Sequence, residues 1–342
     1  MSYQPPFSLT SPVLNLVADI TEQLGRLSVL QEQEQSKSSL CLRRINRIRT
    51  IQGSLAIEGN TLSEEQITAI LEGKPVIAPP REVQEAKNAL EAYEQFERWQ
   101  SGSKTDLLKV HQTLMLGLID DAGQYRQKGV GVMKGKQVVH MAPQAERVDK
   151  LMADLLGWLK VSDAHPLIAS SVFHYEFEFI HPFTDGNGRM GRLWQTLILN
   201  EWKPLFKYLP VESMVYANQS DYYVALNKST EITDSAPFIE FMLGRILEAC
   251  ISINPKATPQ DDLQVTPQVK QLLNIMHDEL TREDCQSALG LKDRKSFRQR
   301  YLLPALEQGL IEMTLPDKPN SSLQKYRLTT DGITYKNRMK SS

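Results

Sequence analysis

The chain has 342 residues, of which 41% are hydrophobic and 23% are charged. This composition is typical of a globular protein of one or two domains and excludes a largely disordered chain. The net charge of −2 excludes a general electrostatic attraction to nucleic acid or to an anionic membrane.

The three cysteines are far apart in the sequence and form no CxxC pair, which argues against a disulfide framework and a cysteine zinc site. Free thiols are typical of a reducing compartment. No apolar run approaches the ~18 residues that span a bilayer, and residues 1–12 lack the apolar stretch of a secretory signal. We therefore expect a cytoplasmic protein without membrane contact.

Helical patterns dominate the first 120 residues. Apolar side chains recur at helical spacing, and the second pattern ends at Gly59, because glycine is a usual helix stop. Ser63 precedes Gln66 by three residues, a capping-box pair that predicts the start of another helix. The other predicted helices cover residues 14–31, 40–58, 82–100 and 104–118.

The pattern changes between residues 129 and 141. Two short runs of β-branched residues flank Lys134-Gly135-Lys136, which predicts a β-hairpin. Helical patterns then return at residues 145–159, 165–180 and 187–202.

A polar segment with two prolines, residues 254–265, predicts a linker. Residues 1–265 carry a net charge of −6 and residues 266–342 a net charge of +4, so the two parts need separate interpretations. We expect an N-terminal helical region (1–100), a core (101–253) and a C-terminal domain (266–342).

The C-terminal domain has predicted helices over residues 266–280, 282–289 and 293–308, then strands over 310–315 and 325–329. This order resembles a winged helix-turn-helix, whose third helix would enter a DNA major groove. Near the start of that helix are Lys292, Arg294, Lys295, Arg298 and Arg300. DNA contact is one expectation; the alternative is contact with protein, which the modest charge also fits.

The densest polar cluster is His181-Pro182-Phe183-Thr184-Asp185-Gly186-Asn187-Gly188-Arg189-Met190-Gly191-Arg192. Residues 186–191 satisfy G-x-G-x-x-G, and the alternation over residues 175–180 allows a strand before it. A dinucleotide-binding strand runs directly into its glycines, however, and five residues intervene here. We therefore reject a dinucleotide-binding fold.

The residue types of this cluster suit the chemistry of phosphate esters. His181 offers a general base, and Asp185 offers a ligand for a hard cation such as Mg²⁺. The Gly-Asn-Gly segment lets backbone N–H groups approach an anion at a helix start. Arg189 and Arg192, three residues apart, share one helix face. An ordinary loop histidine beside an arginine-rich helix explains any one of these residues, but not all of them together.

The cluster matches the signature H-x-F-x-[DE]-G-N-G-R-x-x-R at every fixed position and on these residues resembles the Fic family. The resemblance implies a mainly helical Fic-type bundle with a small β-hairpin flap, and transfer of AMP from ATP to a protein hydroxyl. It also implies that His181 is the general base, Phe183 the anchor of the loop and Asp185 the Mg²⁺ ligand. The implied ATP-binding residues are Gly186, Asn187, Gly188, Arg189, Met190, Gly191 and Arg192.

Two further segments resemble parts of this family. Gly123-Gln124-Tyr125-Arg126 and the hairpin over 129–141 resemble the flap and its lead-in, on which an extended stretch of a target protein would add as a strand. The alternative is an ordinary surface hairpin. Tyr222 and Tyr223 lie where the family places aromatic residues near the nucleotide, although a core role fits them equally well.

Ser54-Leu55-Ala56-Ile57-Glu58-Gly59-Asn60 resembles the family's inhibitory motif, [ST]-x-x-x-E-[GN], with Ser54, Glu58 and Asn60 as the candidate inhibitory residues. Glu58 is predicted in the last turn of a helix, where a negative charge is disfavoured by about 0.3–1 kcal/mol. The resemblance implies that Arg192 is its partner, in a pair that blocks the site of the γ-phosphate. Alternatively, Glu58 is a surface residue, or it orients water for removal of AMP.

The sequence leaves three functions open. The first is an autoinhibited protein adenylyltransferase that uses ATP and Mg²⁺. The second is a transcriptional regulator that senses nucleotide and binds DNA. The third is a relative that removes AMP or transfers another phosphate-linked group. A homodimer is expected from the resemblance alone.

Overall fold

A computed structural model describes residues 3–33, 37–129, 131–134, 137–253, 266–276, 279–291, 293–314, 321, 324–329, 332–333 and 335–336. For residues 28–33, 37–42, 131–134, 137–141, 267, 295 and 307 it describes the backbone alone. The chain divides into two compact units, Met1–Thr258 and Pro259–Ser342, each with its own hydrophobic core. Within the described residues, no helix is long and apolar enough to cross a membrane.

The first unit is built of helices and a single described hairpin. The helices are α1 (Ser11–Gln33), α2 (Lys37–Ile57), α3 (Glu64–Leu71), α4 (Pro80–Glu94), α5 (Lys104–Leu114), α6 (Ala145–Val161), α7 (Pro166–Ile180), α8 (Asn187–Trp202), α9 (Val211–Ala217), α10 (Gln219–Ile232) and α11 (Ala236–Ser252). The hairpin joins β1 (Gly131–Lys134) to β2 (Gln137–Met141) in antiparallel register.

Helices α7 and α8 form the centre of this unit. Both are buried around most of their circumference, which requires cover from other elements, and α6 and α11 pack against α7. The two central helices approach closely because Gly191 has no side chain. A Cβ atom at Gly191 would lie 2.8 Å from the ring of His174 on α7.

The helix that carries the inhibitory motif, α2, packs against α9. This contact depends on Gly53, where a Cβ atom would lie 2.7 Å from the backbone nitrogen of Ser213. The next helix, α3, begins with the predicted capping box, in which the side chains of Ser63 and Gln66 each accept the backbone N–H of the other residue. Glu58 follows the last residue of α2 rather than lying within its last turn, because Gly59 adopts a φ of +89° and ends the helix.

The prediction of a mainly helical fold is confirmed. Residues 175–180, whose alternation allowed a strand, belong to α7, because packing on all sides outweighs a local pattern. Helices α4 and α5 end earlier than predicted, at Glu94 and Leu114. Helices α9, α10 and α11 had not been predicted from the sequence.

The second unit combines short helices with a small sheet. Its helices are α12 (Pro267–Ile275), α13 (Arg282–Ala288), α14 (Arg294–Phe297) and α15 (Leu303–Glu307), and a π-helical turn, Arg298–Leu302, joins the last two. The strands β3 (Leu280–Thr281), β4 (Ile311–Met313) and β5 (Lys325–Leu328) form an antiparallel sheet of order β3-β5-β4. The two-residue strand β3 was not predicted.

The winged helix-turn-helix assignment of this unit remains a prediction, although the order of its elements is compatible with it. The predicted linker, residues 254–265, and Lys292 lie outside the described residues, as do residues 315–320 between β4 and β5. A core that includes Leu272, Phe297 and Leu310 shows that the unit buries apolar surface of its own.

Candidate active site

The candidate base, His181, lies at the point where α7 ends. It adopts a left-handed conformation (φ +50°, ψ +61°), and its backbone N–H donates to Phe177 O at 2.9 Å. A left-handed conformation costs a non-glycine residue about 1–2 kcal/mol, so the surrounding structure must hold it in place. The His181 side chain is 21% exposed, and its Nδ1 lies 4.0 Å from Glu178 Oε2. The base is therefore accessible from outside while a carboxylate lies behind it.

The loop between α7 and α8 is fixed from within by two side chains. Asn187 accepts the backbone N–H of Phe183 at 2.9 Å and donates to the carbonyl of the same residue at 2.9 Å. The ring of His111 stacks on Phe183 with centroids 3.6 Å apart. The Asn187 side chain thus shapes the loop, and any contact with a phosphate falls to its backbone.

His111 has a fixed tautomer in this arrangement. Its Nδ1 accepts the backbone N–H of Gly123 at 2.8 Å, so Nε2 carries the proton and donates to Asp185 O at 3.0 Å. Burial lowers the pKa of His111 to about 4. The neutral ring therefore links the lead-in of the hairpin to the loop.

Helix α8 begins at this loop, and the first backbone N–H groups of a helix have no acceptor within it. Gly186, the N-cap, has a φ of +82°, a conformation that favours glycine. A Cβ atom at Gly188 would overlap Oε1 of Glu58, so the carboxylate lies directly against the first turn of α8. A helix N-terminus attracts anions, and here the anion is a side chain of the protein itself.

Glu58 and Arg192 form a hydrogen-bonded ion pair. Nη2 of Arg192 donates to Glu58 Oε1 at 2.7 Å and to Ser54 O at 3.0 Å, while Nε donates to Ser54 Oγ at 3.2 Å. Burial alone would lower the pKa of Arg192, but the neighbouring Glu58 carboxylate raises it above its usual value. Ser54 and Glu58 therefore jointly fix the guanidinium of Arg192, the second arginine of the cluster.

The first arginine of the cluster, Arg189, lies in a separate network. Its Nη2 donates to Asp185 Oδ1 at 3.2 Å, and its Nη1 lies 3.5 Å from Glu85 Oε1 on α4. Arg81, also on α4, donates to Asp185 Oδ2 at 3.2 Å. Nε and Nη1 of Arg189 are buried and have no hydrogen-bond partner among the described residues. Buried donors of this kind usually indicate an acceptor that arrives with a ligand.

Asn60 connects the two networks and does not contact Arg192. Its Nδ2 donates to Glu85 Oε2 at 2.9 Å and to the carbonyl of Glu82 at 3.2 Å. Its Oδ1 accepts the backbone N–H of Leu62 at 3.0 Å. The inhibitory motif is thereby tied to α4, which carries the partners of Arg189 and Asp185.

The donor set at Asp185 fits a nucleotide-bound Mg²⁺. The Asp185 side chain is 40% exposed; its Oδ1 accepts from the backbone N–H of Gly186 at 2.6 Å and from Arg189 at 3.2 Å, whereas its Oδ2 accepts only a long bond from Arg81, at 3.2 Å, among the described residues. Among the described residues, no three His, Cys, Asp or Glu side chains come together to form a complete metal cage. Mg²⁺ does not need one, because it commonly binds one or two carboxylates together with substrate phosphates.

Some residues that were predicted to contact the nucleotide instead pack in the core of the first unit. Met190 is fully buried in the core, and Gly191 allows the close contact of α7 and α8. Tyr222 is 2% exposed, and its hydroxyl lies 3.1 Å from His174 Nε2, so its ring offers no free face for stacking. Tyr223 is 42% exposed and keeps an open side.

Four residues near the site were not proposed from the sequence as site residues: Arg81, Glu85, His111 and Arg126. Only Arg126 gave a signal, through its place in the lead-in of the flap. The others contact the loop from helices more than 60 residues away in sequence. A local pattern does not reveal such pairs.

Comparison with known proteins agrees with this geometry. Residues 101–199 match the Fic/DOC family, and residues 267–329 match the C-terminal domain of Fic-like proteins. A crystal structure of a Fic family protein from Desulfovibrio desulfuricans G20 is 53% identical, with a TM-score of 0.70. The match covers 96% of this chain and 99% of that one. The chain belongs to the Fic family.

Curated Fic proteins from animals are more distant. Protein adenylyltransferase Fic of Nematostella vectensis is 31% identical over 202 residues, which are 55% of this chain and 44% of that protein. Protein adenylyltransferase fic-1 of Caenorhabditis elegans is 29% identical over 286 residues, which are 76% of this chain and 52% of that protein. The chain thus spans about half the length of these curated relatives.

Proposed function

We propose that the protein transfers AMP from ATP to a hydroxyl side chain of a protein. The observation that carries this proposal is the convergence of an accessible histidine, a helix start and two buried arginines at one end of α8. Nε of Arg189 is buried without a hydrogen-bond partner among the described residues, so a phosphate oxygen of a ligand would satisfy it. The curated relatives are named protein adenylyltransferases, which supports the same activity.

The chain's own residues suffice to outline the reaction. The first turn of α8, Arg189 and Arg192 bind and orient the triphosphate. His181 takes the proton from the target hydroxyl, whose oxygen attacks the α-phosphorus in line. The bond from the α-phosphorus to the bridging oxygen then breaks, and pyrophosphate leaves. Positioning and stabilisation of charge supply most of the rate. Mg²⁺, held by Asp185 and the phosphates, would neutralise charge on the leaving group.

Transfer of AMP is distinguished from other reactions by the position of a label. We expect ATP labelled at the α-phosphorus to label protein, and ATP labelled at the γ-phosphorus to leave it unlabelled. His181→Ala should lower the transfer rate by about 10²–10⁴-fold, the share of a general base, with little change in the dissociation constant of ATP. Transfer at the parent rate in this variant would show that another group takes the proton.

We also propose that Glu58 inhibits this reaction. Its carboxylate takes up the space against the first turn of α8 and the guanidinium of Arg192, where the terminal phosphates of ATP would lie. A triphosphate must therefore displace a hydrogen-bonded, partly buried ion pair before it binds productively.

Removal of this carboxylate tests the inhibition. We expect Glu58→Gly to raise the rate of AMP transfer, including self-modification, and to enlarge the rise in Tm on addition of ATP, because Arg192 then lacks a competing carboxylate. Glu94→Gly is the matched control, since Glu94 is an exposed glutamate at the end of α4. Equal transfer rates in the parent and Glu58→Gly at saturating ATP would remove the basis for inhibition.

Target proteins, in this proposal, dock on the hairpin over 129–141. Its described part is a two-stranded antiparallel sheet, and such a sheet leaves strand edges to which an extended segment can add. Cys250 and Cys285 are buried free thiols, which fits work in a reducing compartment such as the cytoplasm.

A further inference from the structure

Arg126 has an unusual set of partners for a buried arginine. Its side chain is 1% exposed, and its guanidinium donates only to backbone carbonyls. These bonds run from Nε to His181 O (2.7 Å), and from Nη2 to Pro143 O (2.5 Å) and Ile180 O (3.3 Å). A further bond runs from Nη1 to Lys128 O at 2.9 Å.

No carboxylate forms an ion pair with Arg126 among the described side chains. Burial accordingly lowers the pKa of this guanidinium from its usual value. The Glu146 carboxylate offsets this effect of burial only in part. A buried charge without an ion-pair partner is costly, and packing alone would be served better by an apolar residue. The planar fork of arginine, however, can hold several carbonyls in fixed directions, which no apolar residue can do.

The carbonyls that Arg126 holds belong to two segments. Ile180 and His181 end α7 and begin the loop of the candidate base, and the backbone N–H of Arg126 adds a third bond, to Pro182 O at 2.9 Å. Lys128 precedes β1 and Pro143 follows β2, so these two residues flank the hairpin on both sides. One side chain therefore joins both ends of the hairpin to the backbone of the base.

We propose that Arg126 is a positioning residue that sets the register between His181 and a target segment docked on the hairpin. It holds His181 in its left-handed conformation through the carbonyl of that residue, and it fixes the hairpin relative to the imidazole. The inference rests on the proposed function, because register between base and hydroxyl matters only if a hydroxyl is activated there. A shift of about 1 Å in such a register costs about 10²-fold in rate.

The test uses the full chain with Glu58→Gly as the background, in which transfer is measured with a target protein or by self-modification. Arg126→Lys keeps the charge and most of the volume but cannot reach all four carbonyls. We expect transfer to fall by about 10²-fold in kcat, while the dissociation constant of ATP stays close to that of the parent. Arg126→Ala should lose as much, and added guanidinium ion should restore part of its activity in a saturable manner. Arg147→Ala, which removes an exposed arginine on α6, is the matched control.

The outcomes separate the two proposals. If the Glu58→Gly background does not transfer AMP, the proposed function fails before Arg126 is tested. If it does, and Arg126→Lys transfers at the same kcat, the positioning role is wrong. A loss of ATP affinity that matches the loss of activity also overturns it, because the arginine would then support only the general fold. Rescue by guanidinium with unchanged ATP affinity supports the positioning role.

Discussion

His174 illustrates how single residues behind the site keep charge out of the core. It is fully buried on α7, its Nδ1 lies 2.7 Å from Gln195 Oε1, and its Nε2 lies 3.1 Å from the hydroxyl of Tyr222. Burial lowers the pKa of His174 to about 3, whereas burial raises the pKa of Glu178, 3.8 Å away, to about 7. A neutral histidine therefore lies next to a carboxyl that keeps its proton up to neutral pH.

The pH dependence of the free energy of unfolding should reveal the lowered pKa of His174. The pKa of His174 in the folded state, about 3, lies below the ordinary 6.5. Its contribution to the free energy of unfolding is therefore complete above pH 6.5 and is lost as the pH falls towards 3. When the pH is lowered from about 7 to about 5, the His174 contribution should lower the free energy of unfolding by about 2 kcal/mol. Buried carboxyls with raised pKa values, Glu178 and Glu212, act in the opposite sense over this range, so the comparison must be made between variants.

We expect His174→Gln to be less stable than the parent at neutral pH, with a difference in Tm that narrows on acidification. Thermal unfolding of both proteins across this range measures it. Parallel curves for the two proteins would mean that His174 is charged in the folded state or does not titrate differently on unfolding.

Among the helices, α2 matters most for the proposed inhibition because it holds Ser54 and ends at Ile57, directly before Glu58. Its position is set by Gly53, which lies against the backbone of α9. A methyl group there would force the two helices apart and shift both inhibitory residues relative to Arg192, which α8 carries independently. In the proposed mechanism, inhibition therefore depends on the placement of α2 as well as on the Glu58 carboxylate.

Replacement of Gly53 tests this dependence without touching the ion pair. We expect Gly53→Ala to lower the free energy of unfolding by about 1–3 kcal/mol through overpacking and to raise AMP transfer. Gly25→Ala on α1 is the matched control, because a Cβ atom there meets nothing within 4 Å. The control should gain about 0.5–1 kcal/mol, as an exposed helical glycine usually does. If Gly53→Ala and Gly25→Ala both transfer AMP at the parent rate, displacement of α2 does not relieve the inhibition.

The elements differ in how much of them the sequence reveals. The start of α8 at Asn187 and the capping box at Ser63 were predictable, because helix starts depend on neighbouring residues. The strand β3, with two residues, is too short to leave a pattern. The partners of Arg189 and Asp185 on α4 were missed, since Arg81 meets Asp185 across 104 positions of sequence. The sequence motifs thus predicted the pairing of Glu58 with Arg192, whereas the partners of Arg189 and Asp185 depend on tertiary packing.

For the whole molecule, charge is unevenly distributed along the chain, −6 over residues 1–265 and +4 over residues 266–342. In the second unit, the Arg294 side chain is 70% exposed and 3.5 Å from Glu283, and Arg298 and Arg300 are exposed. Lys295 lies on the same short helix, but its side chain lies outside the described residues. Exposed basic residues at the start of a third helix are what contact with DNA phosphates requires.

We predict salt-sensitive binding of duplex DNA by the full chain, measured by mobility shift. Each of Arg294→Ala and Arg298→Ala should weaken binding and lower the dependence on log salt by about one. Lys270→Ala, an exposed basic residue on α12, is the control. Absence of binding to any duplex at low salt would favour a role of this unit in protein contacts.

The hydrogen bond between Asn60 and Glu85 has a consequence for how nucleotide enters. Both arginines of α8 already have carboxylate neighbours, so a triphosphate arrives by exchanging partners and not by filling a bare positive cleft. Glu85, which neighbours Arg189, accepts from the Asn60 amide, and Asn60 lies two residues after Glu58, so displacement of one carboxylate should be transmitted to the other through this short segment. Both carboxylates should therefore leave the arginines in one step. A molecule that binds the segment from Glu58 to Glu85 should raise or lower the nucleotide concentration at which this step occurs.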